Sequence, residues 1–383
     1  MAHLTLPRLA AGRNAAVDLF RALTVLVMVI VNDWSGVAGL PAWAAHMPAD
    51  ADAMSFVDAV FPAFLFIVGL SIPFALQQRA EAGHGAPALL GHAAQRAAAL
   101  IVLGLFMVNA EQSSGAGMLL PVPAWALAAY AGAFLLWGSL LGGPPLPRPW
   151  RVAGAVLLLA LALLYRGNDG GFMRAHWWGI LGLIGWAYLL ACAVFVAVQG
   201  RLLPLLAAIV LCVAWYAGLE PLLGQGGHAS HTAIVLAGCA VARLLFDAQR
   251  PHVAAAVALA AVLAAAATAL RPGWPISKIH ATPSWALYSA AACILVTVAL
   301  RWLLHQAPAV GDRWAALLAP VAANPLLAYL IPFVVEASMQ LAGWQRPALL
   351  RHGAIGIATA FAYALGVLLA TRWLAARGVR LRM

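Results

Sequence analysis

His46 stands in an otherwise greasy stretch, "WAAHMPADADAMSFVDAVFPAFLFIVGLSI" (residues 43–72), together with Asp50, Asp52 and Asp58. Imidazole is the side chain best suited to take up and return a proton near neutral pH, and a neighbouring carboxylate fixes its tautomer and raises its basicity. Asp58 opens the next apolar run, with Pro62, Leu65 and Gly69 on the same helical stripe. His46 and Asp58 could therefore form an acid–base centre at the mouth of an apolar helix. On residue chemistry alone the alternative, a solvated or interfacial loop histidine, stays open.

A second set of polar residues lies in the first apolar run. Asn14, Asp18 and Arg21 follow at steps of four and three, which places them on one helical face. Asn32 and Asp33 come about 21 Å further along from Asp18 at the helical rise per residue, near the opposite end. Such groups cost a few kcal/mol each inside a bilayer, so they are usually paired, cavity-facing and functional. Two readings of Asp18 and Arg21 remain: a structural ion pair, or a cationic entrance that Arg21 forms with Arg13 for a phosphate-bearing ligand.

A metal is not expected. His228 and His231 lie three apart in "GQGGHASHT", which is read as an outer loop, but the usual zinc spacings are absent. Cys192, Cys212, Cys239 and Cys293 lie in apolar runs without paired spacing and read as small core residues.

The elements that must position these groups follow from composition. Of 383 residues 64% are hydrophobic and 9% charged, with a mean hydropathy of +0.92, which excludes a water-soluble globule. Apolar windows of about 17 to 25 residues recur without the alternation of a membrane barrel. The expected fold is all-α, a polytopic integral membrane helical bundle of 11–12 spans forming a single domain over 1–383, with no soluble domain. The expected spans are 15–34, 56–78, 93–110, 122–141, 151–165, 177–199, 202–219, 232–247, 253–270, 284–304, 315–340 and 353–375, the fifth being the shortest. The first is read as a retained span, although Ala42-Trp43-Ala44 resembles a leader cleavage site.

Basic residues favour cytoplasmic loops. With both termini cytoplasmic, only Arg166, Arg174, Arg271, Lys278, Arg346 and Arg351 fall on the far side. The net charge of +10 is then a topology signal, and no nucleic acid is expected as a partner. Trp177, Trp178, Trp274, Trp285, Trp314 and Trp344 sit at span ends and read mostly as interfacial anchors.

Five stretches together resemble a known family. "RNAAVDLFRALTVLVMVIVND" (13–33) followed by "AAHMPADADAMSFVDAVFPAFLFIVGLSI" (44–72) resembles the heparan-alpha-glucosaminide N-acetyltransferase family and its bacterial relatives. That family reads as D-x-F-R-G-L/I, an apolar run ending in V-N, a histidine, and D-L-V-F-P-x-F-L-F-I-V-G. "PISKIHATPSWALYS" (275–289), "ANPLLAYLIPFVVE" (323–336) and, more weakly, "HWWGILGLIGWAYLLA" (176–191) resemble later family segments. Ala22 stands where the family often has Gly, and Ser277 where it often has Asn.

The resemblance implies a transmembrane acyltransferase. It would carry an acetyl group from cytoplasmic acetyl-CoA to the amine of a glucosamine-type amino sugar on the opposite face. By resemblance His46 is the catalytic histidine and Asn32 a polar residue near the thioester, a candidate oxyanion donor, with Asp58 orienting His46 or the acceptor. Arg21, Arg13, Asp18 and Asn324 are candidates for holding CoA, and Asp33 and Lys278 for holding the acceptor. The expected setting is a bacterial inner membrane with the His46 loop in the periplasm, with lipid as a partner and a homodimer compatible. The alternative is an amino-sugar transporter for N-acetylglucosamine, although no inverted repeat is found.

Overall fold

Residues 6–7, 9, 14–176, 179–223, 226–249 and 251–381 are described by a computed structural model. Arg13, Trp177 and Trp178 lie outside the described residues. The fold is all-α. In chain order the helices are α1 (Ala15–Trp34), α2 (Val60–Glu81), α3 (Ala86–Gln112), α4 (Val122–Trp137), α5 (Arg148–Leu164), α6 (Ile180–Ala197) and α7 (Leu202–Leu223). There follow α8 (Gly226–Leu245), α9 (Val253–Leu270), α10 (Pro283–Gln306), α11 (Pro308–Ala323), α12 (Pro325–Leu341) and α13 (Gly353–Ala376). Two short strands, β1 (Gly138–Ser139) and β2 (Arg380–Leu381), pair antiparallel.

Among the described residues nine helices are long and apolar enough to cross a membrane, or ten if the bent pair α11–α12 is one span. The apolar helix α4 (16 residues) and α5 (17 residues) fall short in length. The stretch 315–340, expected as one continuous helix, is two helices inclined by 69°. Pro325 explains the break: it offers no N–H and its ring clashes with the preceding turn, so Asn324 leaves helical geometry (φ −133°, ψ 56°) and Pro325 opens α12.

The chain divides into two compact units. One comprises Met1–Thr24, Pro41–Ala97 and Trp186–Leu317, the other Val25–Leu40, Ala98–Gly185 and Leu318–Met383. In the first, α2 packs on α8, α8 on α7, and α10 on α9, α8 and α2. The α2–α8 contact needs backbones in near touch: a Cβ on Gly69 would collide with the Val235 carbonyl, and one on Gly238 with the Phe66 carbonyl. Small residues permit this approach, which dispersion packing between apolar helices requires.

In the second unit α4 packs on α5 and α12, and α12 on α13. Phe106 stacks on Trp125 with centroids 5.2 Å apart, and the Trp125 indole N–H donates to the Leu161 carbonyl at 3.0 Å. Large apolar side chains such as Val156, Leu163, Val210, Leu211, Phe361 and Leu365 are exposed. Water would not tolerate so many, whereas lipid does; these faces are those of a polytopic membrane protein.

Candidate functional site

Asp58 lies in a 3-10 turn, Val57–Ala59, that leads directly into α2, and its side chain is 2% exposed. Every oxygen of this carboxylate is occupied. Oδ1 lies 2.7 Å from His46 Nδ1, while Oδ2 accepts from the Ser55 N–H (3.0 Å), the Ser55 hydroxyl (3.2 Å) and the Met47 N–H (3.2 Å). An ionised carboxylate only accepts, so Nδ1 carries the imidazole proton and the free lone pair sits on Nε2. The His46 side chain is 44% exposed.

Lys278 meets the same ring from a distant part of the chain. Its Nζ lies 3.2 Å from His46 Nδ1 and 3.4 Å from Nε2, and with Nδ1 already donating, only Nε2 can accept from it. Burial pushes the Lys278 ammonium below its usual pKa, and the Asp58 charge partly offsets that shift. The loop carrying Lys278 is tied on itself. Ser277 N–H donates to Thr282 Oγ1 (3.0 Å), and the Ser284 hydroxyl donates to the Trp274 carbonyl (2.6 Å).

Asp52 clamps the two loops together. Its carboxylate oxygens both lie 3.0 Å from Arg271 Nε, and Oδ1 also accepts the Ile276 N–H at 2.8 Å. The Ile276 N–H above all holds the Asp52 carboxyl below the usual carboxylate range; burial opposes that shift and the Arg271 guanidinium adds to it. Asp52 adopts a left-handed backbone (φ 43°), which short Asp side chains tolerate better than most.

Beneath the pair lies Trp285, fully buried, whose indole N–H donates to the Asp58 carbonyl at 3.3 Å. The expectation of an interfacial anchor is thus corrected: Trp285 opens α10 from inside the packing. His231 packs edge-on between Trp285 (5.9 Å) and Phe61 (5.3 Å). His228 and His231 were expected on an outer loop, but helix begins at Gly226, and both lie on α8 with Nδ1 buried and unpartnered among the described residues. No group of three His, Cys, Asp or Glu among the described residues could hold a metal.

Asp18 and Arg21 form an ion pair at 2.9 Å in this unit, and Arg21 also donates to the Ser71 hydroxyl at 2.7 Å. Asn14 Oδ1 accepts from the Ala16 and Val17 N–H groups at the start of α1.

The other unit holds Asn32, Asp33 and Asn324. Asp33, 7% exposed, pairs through Oδ1 with Arg346 Nη2 at 2.6 Å, and the Arg346 guanidinium lies 5.0 Å above the Tyr363 ring. Asp33 and Asn32 line a cavity of about 640 Å³ with Glu336, Gln340, Trp344 and Arg346. Asn32 also lines a smaller cavity of about 340 Å³ with Glu111 and Tyr329. Asn324 is buried at the break before α12, its amide directed at the Pro320 carbonyl (3.4 Å).

Sequence reasoning missed Ser55, Arg271, Arg346 and Tyr363. Arg271, Arg346 and Tyr363 reach their partners only through the fold. Ser55 alone carried a local signal, lying three residues before Asp58 at the entry to a helix.

Residues 10–136, the stretch that carries Asp18, Asn32, His46 and Asp58, match the family described as "Domain of unknown function (DUF5009)". Within curated proteins the chain is similar to heparan-alpha-glucosaminide N-acetyltransferase of Mus musculus, 32% identical over 108 residues. That match takes in 28% of this chain and 16% of the mouse protein, so the chain spans a small part of the relative's length. Together the two findings show a distant relation.

Proposed function

We propose that this chain is a transmembrane acyltransferase that moves an acetyl group from cytoplasmic acetyl-CoA to the amine of a glucosamine-type sugar at the periplasmic side of a bacterial inner membrane. The observation that carries the reading is the His46–Asp58 pair, 2.7 Å apart, which holds the imidazole in the tautomer whose acceptor is Nε2. A distant relation to a protein named as an N-acetyltransferase supports the reaction class.

In this reading the amine nitrogen attacks the thioester carbonyl while His46 Nε2 takes the amine proton. The tetrahedral intermediate then expels CoA thiolate, which receives that proton from the imidazolium. Asp58 holds the imidazole in its productive tautomer and stabilises the cation formed in passing. Asn32 keeps the role that the resemblance gives it, donating to the developing oxyanion. Arg21, Asp18, Arg13 and Asn324 are assigned to CoA, and Asp33 and Lys278 to the acceptor. Twelve spans with both termini cytoplasmic put the His46 loop outside. In the variant route His46 carries the acetyl group before the amine takes it.

One feature favours the rival reading of an amino-sugar transporter: the break between α11 and α12 makes a discontinuous helix, a common device at transport sites. The discriminating experiment is acetyl transfer from labelled acetyl-CoA to glucosamine by the purified protein in detergent, with His46→Ala beside it. Transfer by the wild type, falling on the order of 10²- to 10⁴-fold in a variant that still melts cooperatively, is expected. Full turnover by His46→Ala would sink the assignment of the base; no transfer, together with N-acetylglucosamine uptake into liposomes, would replace the enzyme by a carrier.

A further inference from the structure

The chain holds a single lysine. All the other residues among its 22 Lys and Arg are arginines, and the one amine stands beside His46. The difference matters chemically: a guanidinium stays protonated in proteins, whereas an ammonium sheds its proton when buried and becomes a nucleophile. Burial does push the Lys278 ammonium below its usual pKa, against the Asp58 charge. Lys278 Nζ lies 3.4 Å from Nε2, the one acceptor that the Asp58 contact leaves on the imidazole. That is the place an attacking amine takes when Nε2 receives its proton. Nor does the amine hang on a loose loop. Asp52, on the His46 loop, accepts from Arg271 Nε at 3.0 Å and from the Ile276 N–H at 2.8 Å, which ties down the segment carrying Lys278 close to the lysine itself. An amine fixed next to a base reacts ahead of one that must diffuse in, because its translational freedom is already lost.

We propose that Lys278 is a self-acetylation site: its amine nitrogen attacks the acetyl carbonyl of the thioester, His46 Nε2 takes the amine proton, and the carbon–sulfur bond breaks. The CoA thiolate leaves with that proton as a thiol, and Lys278 is left as a neutral N-acetyl amide. An amide does not hand its acetyl group on to a second amine, so the reaction runs once per chain and ends with the ammonium gone from beside the imidazole. The inference rests on the acyltransferase reading for its donor; the amine and the base stand on their geometry.

The test incubates the purified full chain in detergent with acetyl-CoA labelled in the acetyl group, first without any acceptor and then with glucosamine. Peptide mapping by tandem mass spectrometry should place the label on Lys278, approaching one acetyl per chain, the most a single lysine allows. Lys278→Arg should lose it. His46→Ala, in a preparation that still melts cooperatively, should label on the order of 10²-fold more slowly. Where that variant does not fold, wild type unfolded in urea carries the comparison, with the same drop expected because the base no longer stands beside the amine. Label that arises as fast in His46→Ala or in the unfolded chain would be plain chemical acetylation and would overturn the site, as would an unlabelled Lys278. The two readings fail separately. Acetyl transfer to glucosamine with Lys278 unlabelled keeps the enzyme and removes this site, whereas His46-dependent label on Lys278 without transfer to glucosamine keeps this site and removes the sugar as the acceptor.

Discussion

Asp58 and Asp33 are both buried acids next to a basic side chain, and they differ in what each has left to offer. Asp58 spends four contacts on His46, Ser55 and Met47, with nothing over. Asp33 spends one oxygen on Arg346 and keeps the other unfilled. A saturated carboxylate is a fixed part: it can aim a neighbour but cannot receive a ligand. A half-used one carries a standing cost that a ligand can relieve, because an unmet buried acceptor loses its hydration without compensation. The contrast separates a carboxylate whose oxygens are all engaged from one that keeps a buried oxygen unfilled.

The largest effect that would test this difference comes from Asp58→Asn. The new NH₂ either faces the Ser55 and Met47 N–H donors or turns onto Nδ1 and reverses the tautomer. Turnover should fall on the order of 10²- to 10⁴-fold, and stability by about 1 to 3 kcal/mol, read from initial rates and urea melts. A mild phenotype in both would mean that Asp58 is not the saturated anchor described.

Next comes ligand-linked stability. Glucosamine at about a hundred times its Kd should add about 2.7 kcal/mol to the wild type and equally to His46→Ala, with a gain of no more than about 1.4 kcal/mol for Asp33→Asn at the same concentration. An equal gain in Asp33→Asn would erase the distinction between the two acids. Trp285→Phe, which removes the indole N–H from the Asp58 carbonyl and leaves a cavity where the fully buried larger ring stood, should cost about 1 to 3 kcal/mol in thermal melts with turnover lowered in step.

The smallest effect is expected at the exposed clamp. The folded-state pKa of Asp52 is depressed, so its contribution is present above the unfolded value of 3.8 and is lost as pH falls through the lower folded value. Arg271→Ala should therefore show faster amide exchange than wild type over residues 271–282 at neutral pH. The two should converge only well below pH 3.8. A difference that persists unchanged in strong acid would take the carboxylate out of the clamp.

Much of the helical fold was legible because apolar runs of membrane length leave few alternatives, and all twelve expected runs contain helix among the described residues. Reading through Asn324–Pro325 went wrong because hydropathy is blind to a missing N–H. His228 and His231 were misplaced for a related reason: Gly-rich surroundings suggested a loop, yet helix packing overrides propensity where small residues let backbones meet. His46 and Asp58 were visible as types, since both lie at the mouth of one helix. Lys278, Arg271 and Arg346 carry no local signature of their partners, because their pairings are made by tertiary packing across long stretches of chain.

The short pair α4–α5 has a consequence for the lipid. At the helical rise, 16 and 17 residues reach only about 24 and 26 Å, against a hydrocarbon layer of about 30 Å. If each crosses, the surrounding acyl chains must compress to meet them, at fractions of a kcal/mol per Å of hydrophobic mismatch. A membrane of shorter-chain lipids would seat this hairpin with less distortion, so bilayer thickness becomes a variable that sets how well the second unit is held.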